Sequence, residues 1–379
     1  MMNFSFTKEQ NLLREEIVAF AQAHLNEGAA QRDKEQCFDR DLWLECGKIG
    51  LPGLAIPIKY GGRGLGAIST VIALEALGYA CEDGGLNFAI SAHLLACLMP
   101  ILLHASEEQK KEYLPSLCGG ELVAGNAMTE STSGSDVFNM STTAKPHEGG
   151  FKLKGTKSFV SNGPVADILV AYALTDAKKG FFGGISAFIL DKRMHPFQTQ
   201  NKLDKLGGRS CLLSEIHFDD LYVKANTVLG KLGGGGIMFS QSMDWERICL
   251  GAIHIGTMDR LLEKATKVFK KRKPAFEKHQ MALHTLADLK IRLEAARLIM
   301  HKAAWKLEQG KSVNMEGSMT KLIVSETFKL LTLQLYEMMF NKTSDSDFER
   351  AMRDAIGSTI YSGTSEIHRN IIVRRMGII

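Results

Sequence analysis

The stretch DILVAYALTDAKKGFFGGISAFILD, residues 167–191, decides the fold class of this chain. It holds two short apolar runs of β type, 167–174 and 185–191, separated by a turn with aspartate and glycine. Two more such runs, 151–155 and 214–223, lie before and after it. In the first of these, FKLKG, apolar residues alternate with lysines, which is typical of a strand with one solvated face.

Helical patterns lie on both sides of this β region. Thr7 stands three positions before Gln10, at capping-box spacing, and apolar residues then recur at helical intervals. Helical signal continues to about residue 120 and returns over about 237 to 340. The order helical, β, helical excludes an alternating βαβ sheet and predicts an α+β fold. The predicted domains are a helical domain over 1–120, a β domain over 121–232 and a helical domain over 233–379.

The composition limits the possible function classes. The chain has 379 residues, of which 45% are hydrophobic and 23% charged, and these fractions indicate a globular protein with a large core. The net charge of +4 is small for this length and argues against nucleic-acid binding. Seven scattered cysteines indicate reduced thiols in the cytoplasm. We expect no signal peptide, and no run of about 20 apolar residues that could span a membrane.

Nucleotide and metal motifs of the common kinds are absent from the sequence. No GxGxxG occurs, and the glycine run 233–236 lacks the Lys-Ser/Thr of a P-loop, so we interpret that run as a flexible turn between domains. No HExxH or tight His/Cys/carboxylate cluster occurs, so we predict no metal site.

Glu246 is the carboxylate that stands out. Its helical neighbours at i−3, i+3 and i+4 are Met243, Cys249 and Leu250, and no cation stands at i±3 or i±4. Burial of an unpaired carboxylate raises its pKa toward the range that suits a general base. A tertiary salt bridge to an arginine of another helix explains the same pattern, so both roles stay open on these grounds.

Two polar clusters accompany the β segments, AMTESTSGSD at 127–136 and KSFVSNGP at 157–164. Small hydroxyl residues and glycines allow hydrogen-bond donors to approach a planar ligand closely. Simple turns explain the same residues and are the favoured interpretation without further information.

Five segments together resemble the acyl-CoA dehydrogenase family over essentially the whole chain. They are FSFTKEQNLLREEIVAFAQ (4–22), YGGRGLG (60–66), AMTESTSGSD (127–136), GTKSFVSNGP (155–164) and IYSGTSEIHRNIIVRRMG (360–377). The resemblance implies an N-terminal helical domain, a central β-barrel and a C-terminal four-helix bundle. It also implies bound FAD and a homo-oligomer, either a dimer or a tetramer.

The resemblance implies a flavin site in the β domain. Met128 and Thr129 match positions at the pyrimidine side of the flavin. Phe159 matches an aromatic residue that covers one flavin face, and Ser161 a hydroxyl near N5.

The resemblance extends this site to other segments. Thr364 and Glu366 fall where the C-terminal Gly-Thr motif approaches FAD. Ser135 matches a position near the FAD or the pantetheine chain. Ser135, Arg247 and Ser362 are the expected substrate-binding residues.

The position of the catalytic base is informative. Many relatives carry it directly before the C-terminal Gly-Thr, but Ser362 occupies that place here and cannot act as a carboxylate base. A minority of relatives place a glutamate on the helix, at the position matched by Glu246. The resemblance therefore favours Glu246 as the base.

A narrower likeness comes from SMDWERICL (242–250) and SAHLLACLMP (91–100), together with SFVSNGPVAD and the C-terminal segment. These resemble the prolyl–carrier-protein dehydrogenases and oxidases of nonribosomal peptide pathways to antibiotics and toxins. The likeness implies Cα–Cβ oxidation of proline held as a thioester on the phosphopantetheine arm of a carrier protein. The product would be a pyrroline or a pyrrole, and oxygen or an electron-transfer flavoprotein would accept the electrons. Two alternatives remain: an acyl-CoA dehydrogenase of fatty or branched-chain acid catabolism, and a flavin-less carrier-binding protein.

Two segments depart from the family pattern. KKRKPAF at 270–276 replaces the usual R-x-F-G-K-P-I, and MMFN at 338–341 replaces a Gly-Gly stretch. Both normally help to bind FAD across a subunit interface, so the strength of FAD binding and the assembly are left open. The cations at 270–273 could meet a phosphate or an acidic carrier protein, although a solvated turn is the favoured interpretation.

Overall fold

The computed structural model describes residues 5–272, 276–340 and 346–378. Its α-helices are α1 (Lys8–His24), α2 (Ala29–Glu35), α3 (Arg40–Lys48), α4 (Ala67–Ala80), α5 (Gly84–Ala92), α6 (Met99–His104), α7 (Glu107–Cys118), α8 (Phe181–Gly184), α9 (Gly235–Cys249), α10 (Gly251–Arg272), α11 (Phe276–Glu308), α12 (Asn314–Met339), α13 (Asp347–Ser358) and α14 (Ser365–Arg375). Its strands are β1 (Ala124–Ala127), β2 (Thr143–His147), β3 (Gly150–Ser161), β4 (Ile168–Leu174), β5 (Ile185–Asp191), β6 (Gln198–Gln200), β7 (Leu213–Lys224) and β8 (Val228–Leu229).

The first helix begins where the capping box predicts. The Gln10 backbone N–H donates to Thr7 Oγ1 at 3.2 Å, and the Thr7 N–H donates to Gln10 Oε1 at 3.0 Å. This pairing satisfies two donors that a helix start leaves without intrahelical partners. Leu13, Ile17 and Ala21 form the buried face of α1.

One apolar helical stretch, Gly84–His104, is long and apolar enough to cross a membrane, so the expectation that no such run exists is wrong. About 78% of its apolar window is buried, as in the core helix of a globular domain. Its middle, His93–Leu98, is a π-helical segment. There His93 Nε2 donates to the Leu117 carbonyl and Nδ1 accepts from the Ala124 N–H, each at 3.0 Å. These bonds fix the stretch against helix α7 and strand β1.

The eight strands form one sheet in the order β6-β7-β3-β2-β4-β5-β8, with β1 parallel to β4. The four predicted strands are confirmed as parts of β3, β4, β5 and β7. On β4, Leu169 and Ala171 pack in the core of the sheet, whereas Ile168 and Val170 pack against the helices. Both faces of β4 are therefore covered, which explains its continuous apolar run. The predicted middle β domain between two helical regions is confirmed.

The glycine run 233–236 is predicted to be a flexible turn, but half of it belongs to helix α9. Gly233 has φ +81°, but Gly235 and Gly236 form the first turn of α9 and are buried. A Cβ atom at Gly236 would lie 2.5 Å from the Phe181 carbonyl oxygen, so glycine is needed for this close approach.

The two segments that depart from the family pattern are only partly described. Lys270 and Lys271 are exposed near the end of α10. Lys273, the side chain of Arg272 and Asn341 lie outside the described residues. The hypothesis of a phosphate or carrier-protein site at 270–273 therefore stays a prediction.

Candidate active site

A cavity of about 1110 Å³ lies between the sheet and the helical regions. Its walls include nine of the ten residues that the sequence predicted for the site. These are Met128, Thr129, Ser135, Phe159, Ser161, Glu246, Arg247, Ser362 and Thr364. Glu366 is exposed in the first turn of α14 and is not among the described residues that line the cavity.

Glu246 is buried on α9, with 9% of its surface exposed. The Ser362 hydroxyl donates a hydrogen bond to its Oε1 atom. The other oxygen, Oε2, is buried and accepts no hydrogen bond from any described residue. The carboxylate therefore has one fixed oxygen and one oxygen available for a ligand or a proton.

Burial raises the pKa of Glu246, and three neighbours partly offset this rise. They are the Ser362 hydroxyl, which stabilises the charged form by its hydrogen bond, and the cations Arg247 and Lys321. The net shift is upward. Among the described residues, no lysine or arginine forms a salt bridge with Glu246, which disfavours the structural alternative left open by the sequence.

The loop that carries Ser362 has a restricted conformation. Ser362 has φ +58° and Gly363 has φ +98°, both in the left-handed region. His368 Nε2 donates to the Ser362 carbonyl at 3.2 Å, and Lys321 Nζ donates to the Gly363 carbonyl at 2.7 Å. These two bonds hold a conformation that a serine seldom adopts and direct its hydroxyl to Glu246.

The loop after β1 is fixed by a buried ion pair. Lys157 Nζ lies 2.9 Å from Glu130 Oε1 and donates to the Met128 carbonyl at 3.0 Å. Burial alone would raise the pKa of Glu130, but Lys157 and hydrogen bonds from Ser141 and Thr142 outweigh it and bring that pKa to about 2. The pair therefore holds Met128 at the cavity wall.

Phe159 projects into the cavity from an irregular part of β3. The pairing of β3 with β7 shifts register between Lys157 and Val160, and Phe159 has φ +56°. Its ring is 58% exposed although the neighbouring Val160 is buried. The bulge reverses the usual alternation locally and presents an aromatic ring to the cavity.

Aromatic side chains form the wall next to Ser362. The Tyr361 and Phe88 rings lie 4.5 Å apart, and the Tyr361 hydroxyl is 2.8 Å from His254 Nε2. His254 stacks on Phe328 at 4.6 Å. Burial lowers the pKa of His254 to about 3, so this histidine is neutral and the wall stays uncharged at neutral pH.

The lining of the cavity fits a planar cofactor such as a flavin. It combines an exposed aromatic ring, the hydroxyl of Ser161 and the N-terminus of α14, where Thr364 is the N-cap. Such a surface offers stacking, hydrogen bonds and a favourable dipole for a phosphate-bearing ligand.

The sequence interpretation missed the aromatic wall next to Ser362 and two buried lysines that support the site. Lys157 had a detectable signal: it follows Phe151 and Leu153 at even spacing and therefore falls on the core face of β3. Lys321 had none, because its role depends on a loop more than 40 residues away, which it contacts at Gly363.

Comparison with known proteins agrees with this geometry. The N-terminal, middle and C-terminal domains of the acyl-CoA dehydrogenase family match residues 7–121, 125–221 and 233–377. The chain therefore belongs to the acyl-CoA dehydrogenase family.

Several relatives within this family carry a prolyl substrate or proline in their names. An L-prolyl-[peptidyl-carrier protein] dehydrogenase of Pseudomonas fluorescens is 39% identical, over 92% of this chain and 93% of that protein. The prolyl acyl carrier protein oxidase AnaB is 36% identical with a TM-score of 0.94, covering 98% of this chain and 100% of that one. The structure of PigA with FAD and proline is 35% identical with a TM-score of 0.95 and full coverage of both chains.

Proposed function

We propose that this protein is an FAD-dependent dehydrogenase or oxidase that removes hydrogen from the Cα–Cβ bond of L-proline held as a thioester on a carrier protein. The product is a pyrroline or pyrrole thioester of secondary metabolism. The observation that carries this proposal is the buried Glu246 carboxylate in the cavity, with Oε2 available and a serine in place of the base used by many relatives.

In this reaction Glu246 Oε2 takes the Cα proton, which the thioester carbonyl makes acidic. The raised pKa of Glu246 makes it a stronger base and brings its pKa closer to that of the Cα–H group. Ser362 holds Oε1, so the carboxylate reaches the substrate in one orientation. The rings of Phe88 and Tyr361 line the same cavity and would limit the access of water to the base.

The residues that would hold FAD are Met128, Thr129, Phe159, Ser161 and Thr364, all at the cavity wall. When bound, FAD supplies the acceptor for the β-hydrogen, which leaves as hydride. Ser135 and Arg247 line the same cavity and would contact the substrate or its arm. Glu366, in the first turn of α14, would help to bind FAD from outside the cavity.

Further proposals concern the cellular location, the assembly and the electron acceptor of the enzyme. We place it in the cytoplasm because all seven cysteines are free thiols and six are buried. We expect a homo-oligomer, a dimer or a tetramer, with oxygen or an electron-transfer flavoprotein as the electron acceptor.

The test is the visible spectrum of the purified protein before and after anaerobic addition of prolyl-loaded carrier protein. We expect a flavin spectrum that bleaches, and a Glu246→Gln variant that keeps its flavin but does not bleach. Glu337→Gln, at an exposed position on α12, is the matched control and should bleach normally.

Two outcomes would contradict the proposal. Bleaching by acyl-CoAs but not by the prolyl thioester would favour an enzyme of acid catabolism. A colourless protein that free FAD cannot restore would favour a carrier-binding protein without a flavin.

A further inference from the structure

Three phenylalanines form one rim of the cavity. Phe138 and Phe182 are exposed to 60% and 61%, and Phe181 lies buried between them. The ring centroids of Phe138 and Phe181 are 4.7 Å apart, and those of Phe181 and Phe182 are 5.1 Å apart. All three line the cavity, and we call them the phenylalanine rim. Exposed aromatic clusters of this kind are typical of binding surfaces rather than of plain solvated surface.

The phenylalanine rim rests on rigid parts of the fold. The short helix α8, which carries Phe181 and Phe182, joins the antiparallel strands β4 and β5. Its far end is closed by the Thr175 N–H, which donates to the Gly184 carbonyl at 2.7 Å. A Cβ at Gly233 would lie 2.5 Å from the Gly183 carbonyl oxygen, so the loop before α9 packs directly on α8.

The phenylalanine rim contacts the first turn of α9, the helix that also carries the base Glu246. Gly236, which touches Phe181, precedes Glu246 by ten residues on α9. Ten residues of α-helix span about 15 Å. A phosphopantetheine arm has about twelve atoms between its phosphate and its sulfur, as many as about four residues of extended chain, and reaches about 14 Å. With its thioester at Glu246, such an arm is therefore long enough for its phosphate end to reach the phenylalanine rim.

Exposed lysines flank the phenylalanine rim. Lys178 and Lys179 lie three and two residues before Phe181, the first residue of α8, and Lys231 lies on the loop that packs against that helix. Asp176 pairs with Lys179 at 3.3 Å. The second nearby carboxylate, Asp136, accepts a hydrogen bond from the Asn139 side chain.

The remaining cations are available to a partner. Within the described part of the chain, Lys178 and Lys231 form no salt bridge, so both can pair with carboxylates of another protein. An apolar centre with cations at its edge is complementary to an acidic surface around an apolar contact.

We propose that the phenylalanine rim, with Lys178 and Lys231, is the docking surface for the acidic face of the carrier protein around the base of its arm. This inference rests on the proposed function and adds where the carrier binds. The rings contact the apolar part of the carrier, and the two lysines pair with its carboxylates.

The decisive experiment compares two substrates that share the arm but not the protein: prolyl-carrier protein and prolyl-pantetheine. Anaerobic flavin bleaching is measured against the concentration of each. In Lys178→Glu/Lys231→Glu, the apparent affinity for prolyl-carrier protein should fall about tenfold, as expected for reversing two rim charges. The affinity for prolyl-pantetheine should stay within about twofold, because neither lysine is among the described residues that line the cavity.

A binding measurement without turnover complements the kinetics. Labelled carrier protein is titrated with the Glu246→Gln protein, with and without the two lysine changes, at low and high salt. Carrier affinity should fall with salt when the lysines are present and much less when they are reversed. Phe182→Ser should weaken carrier binding about tenfold, as for an aromatic residue at the centre of an interface. Lys8→Glu/Leu12→Ser on α1, which replaces an exposed lysine and an exposed apolar residue elsewhere, is the matched control. It should change neither the carrier affinity nor its salt dependence.

Three results would overturn the docking surface. One is unchanged carrier affinity in the lysine variant, and another is an equal loss with both substrates. The third is a Phe182→Ser protein with normal carrier affinity but a changed oligomeric state in size-exclusion chromatography. That result would make the phenylalanine rim a contact between copies of this chain. If wild-type flavin is bleached by neither prolyl substrate, the proposed function fails, and the docking surface fails with it.

Discussion

At the scale of single residues, the active site depends on Ser362. This serine stands where many relatives carry their base, and its hydroxyl donates to Glu246 Oε1. The bond stabilises the charged carboxylate and so opposes the rise in pKa that burial causes. Ser362 thus acts as a positioning residue for a base on another helix.

Removal of the Ser362 hydroxyl should change the pH dependence of flavin reduction. Without the hydrogen bond, the pKa of Glu246 moves further up, so the acidic limb of the pH–rate profile shifts to higher pH. At pH values below this limb, the variant should reduce flavin about tenfold more slowly than the wild type. This factor corresponds to the free energy of one hydrogen bond to a charged group. The measurement is the rate of anaerobic flavin bleaching from pH 5 to pH 9.

Two replacements separate the hydroxyl from the backbone. Ser362→Ala and Ser362→Gly both lose the hydrogen bond, but only glycine adopts φ +58° without strain. Both pH–rate profiles should therefore shift equally, while the alanine variant should be less stable than the glycine variant by about 1 kcal/mol. A shift in the alanine profile alone would assign the effect to the backbone instead.

At the scale of secondary-structure elements, strand β3 organises the cofactor side of the cavity. Its residue Lys157 is fully buried, pairs with Glu130 and binds the Met128 carbonyl. The adjacent Ser158 N–H donates to the Thr129 carbonyl at 2.8 Å. The strand therefore fixes the loop that carries two of the predicted flavin contacts.

Loss of the Lys157 charge should destabilise the protein and weaken FAD retention. Lys157→Met leaves the buried Glu130 carboxylate without its cation, which costs about 3–5 kcal/mol in buried pairs. The measurements are urea unfolding without added FAD and the dissociation constant for FAD.

Strand β3 provides its own control. Lys154 pairs with Asp220 at 3.1 Å on the surface, where an ion pair contributes about 0–1 kcal/mol. Lys154→Met should therefore leave unfolding and FAD binding nearly unchanged. Equal effects of the two replacements would show that the buried pair has no special role.

At the scale of the whole molecule, one buried arginine joins the two helical regions. Arg260 on α10 pairs with Asp347 on α13, with both nitrogen–oxygen distances at 3.0 Å. It also donates to the carbonyls of Gly78 and Cys81, at the end of α4. Lys264 adds a second cation, 2.8 Å from Asp347.

This ion-pair network should make stability sensitive to acid. Burial alone would raise the pKa of Asp347, but Arg260 and Lys264 outweigh it and lower that pKa from 3.8 to about 2. Because the folded pKa is depressed, the stabilisation is complete above the unfolded pKa and is lost as pH falls from about 4 to about 2. Its size is about 2 kcal/mol by linkage.

The check is the free energy of unfolding between pH 6 and pH 2.5. Asp347→Asn should be less stable than wild type at pH 6, and the two curves should approach each other as pH falls. Asp288→Asn, at an exposed position on α11, should follow the wild-type curve. An Asp347→Asn protein with the full acid sensitivity of wild type would refute the role of this network.

The local sequence by itself determined the elements and one site residue. Apolar spacing and the capping box at Thr7 predicted α1, and the continuous run of β4 predicted a strand, because these signals act within a few residues. The same spacing placed Glu246 on an apolar face. The resemblance then supplied the other eight predicted residues that line the cavity, and the domain boundaries at 120 and 232 stay predictions.

Only the tertiary structure decided how these residues act together. The bond from Ser362 to Glu246 joins positions 116 residues apart, and Lys157 reaches Glu130 across 27 residues. The phenylalanine rim likewise combines Phe138 with Phe181 from separate segments. Local patterns report which face of an element is buried, but not which distant group it meets there. The partner of a buried charge is set by packing between elements, and in this protein that packing determines the orientation of the base.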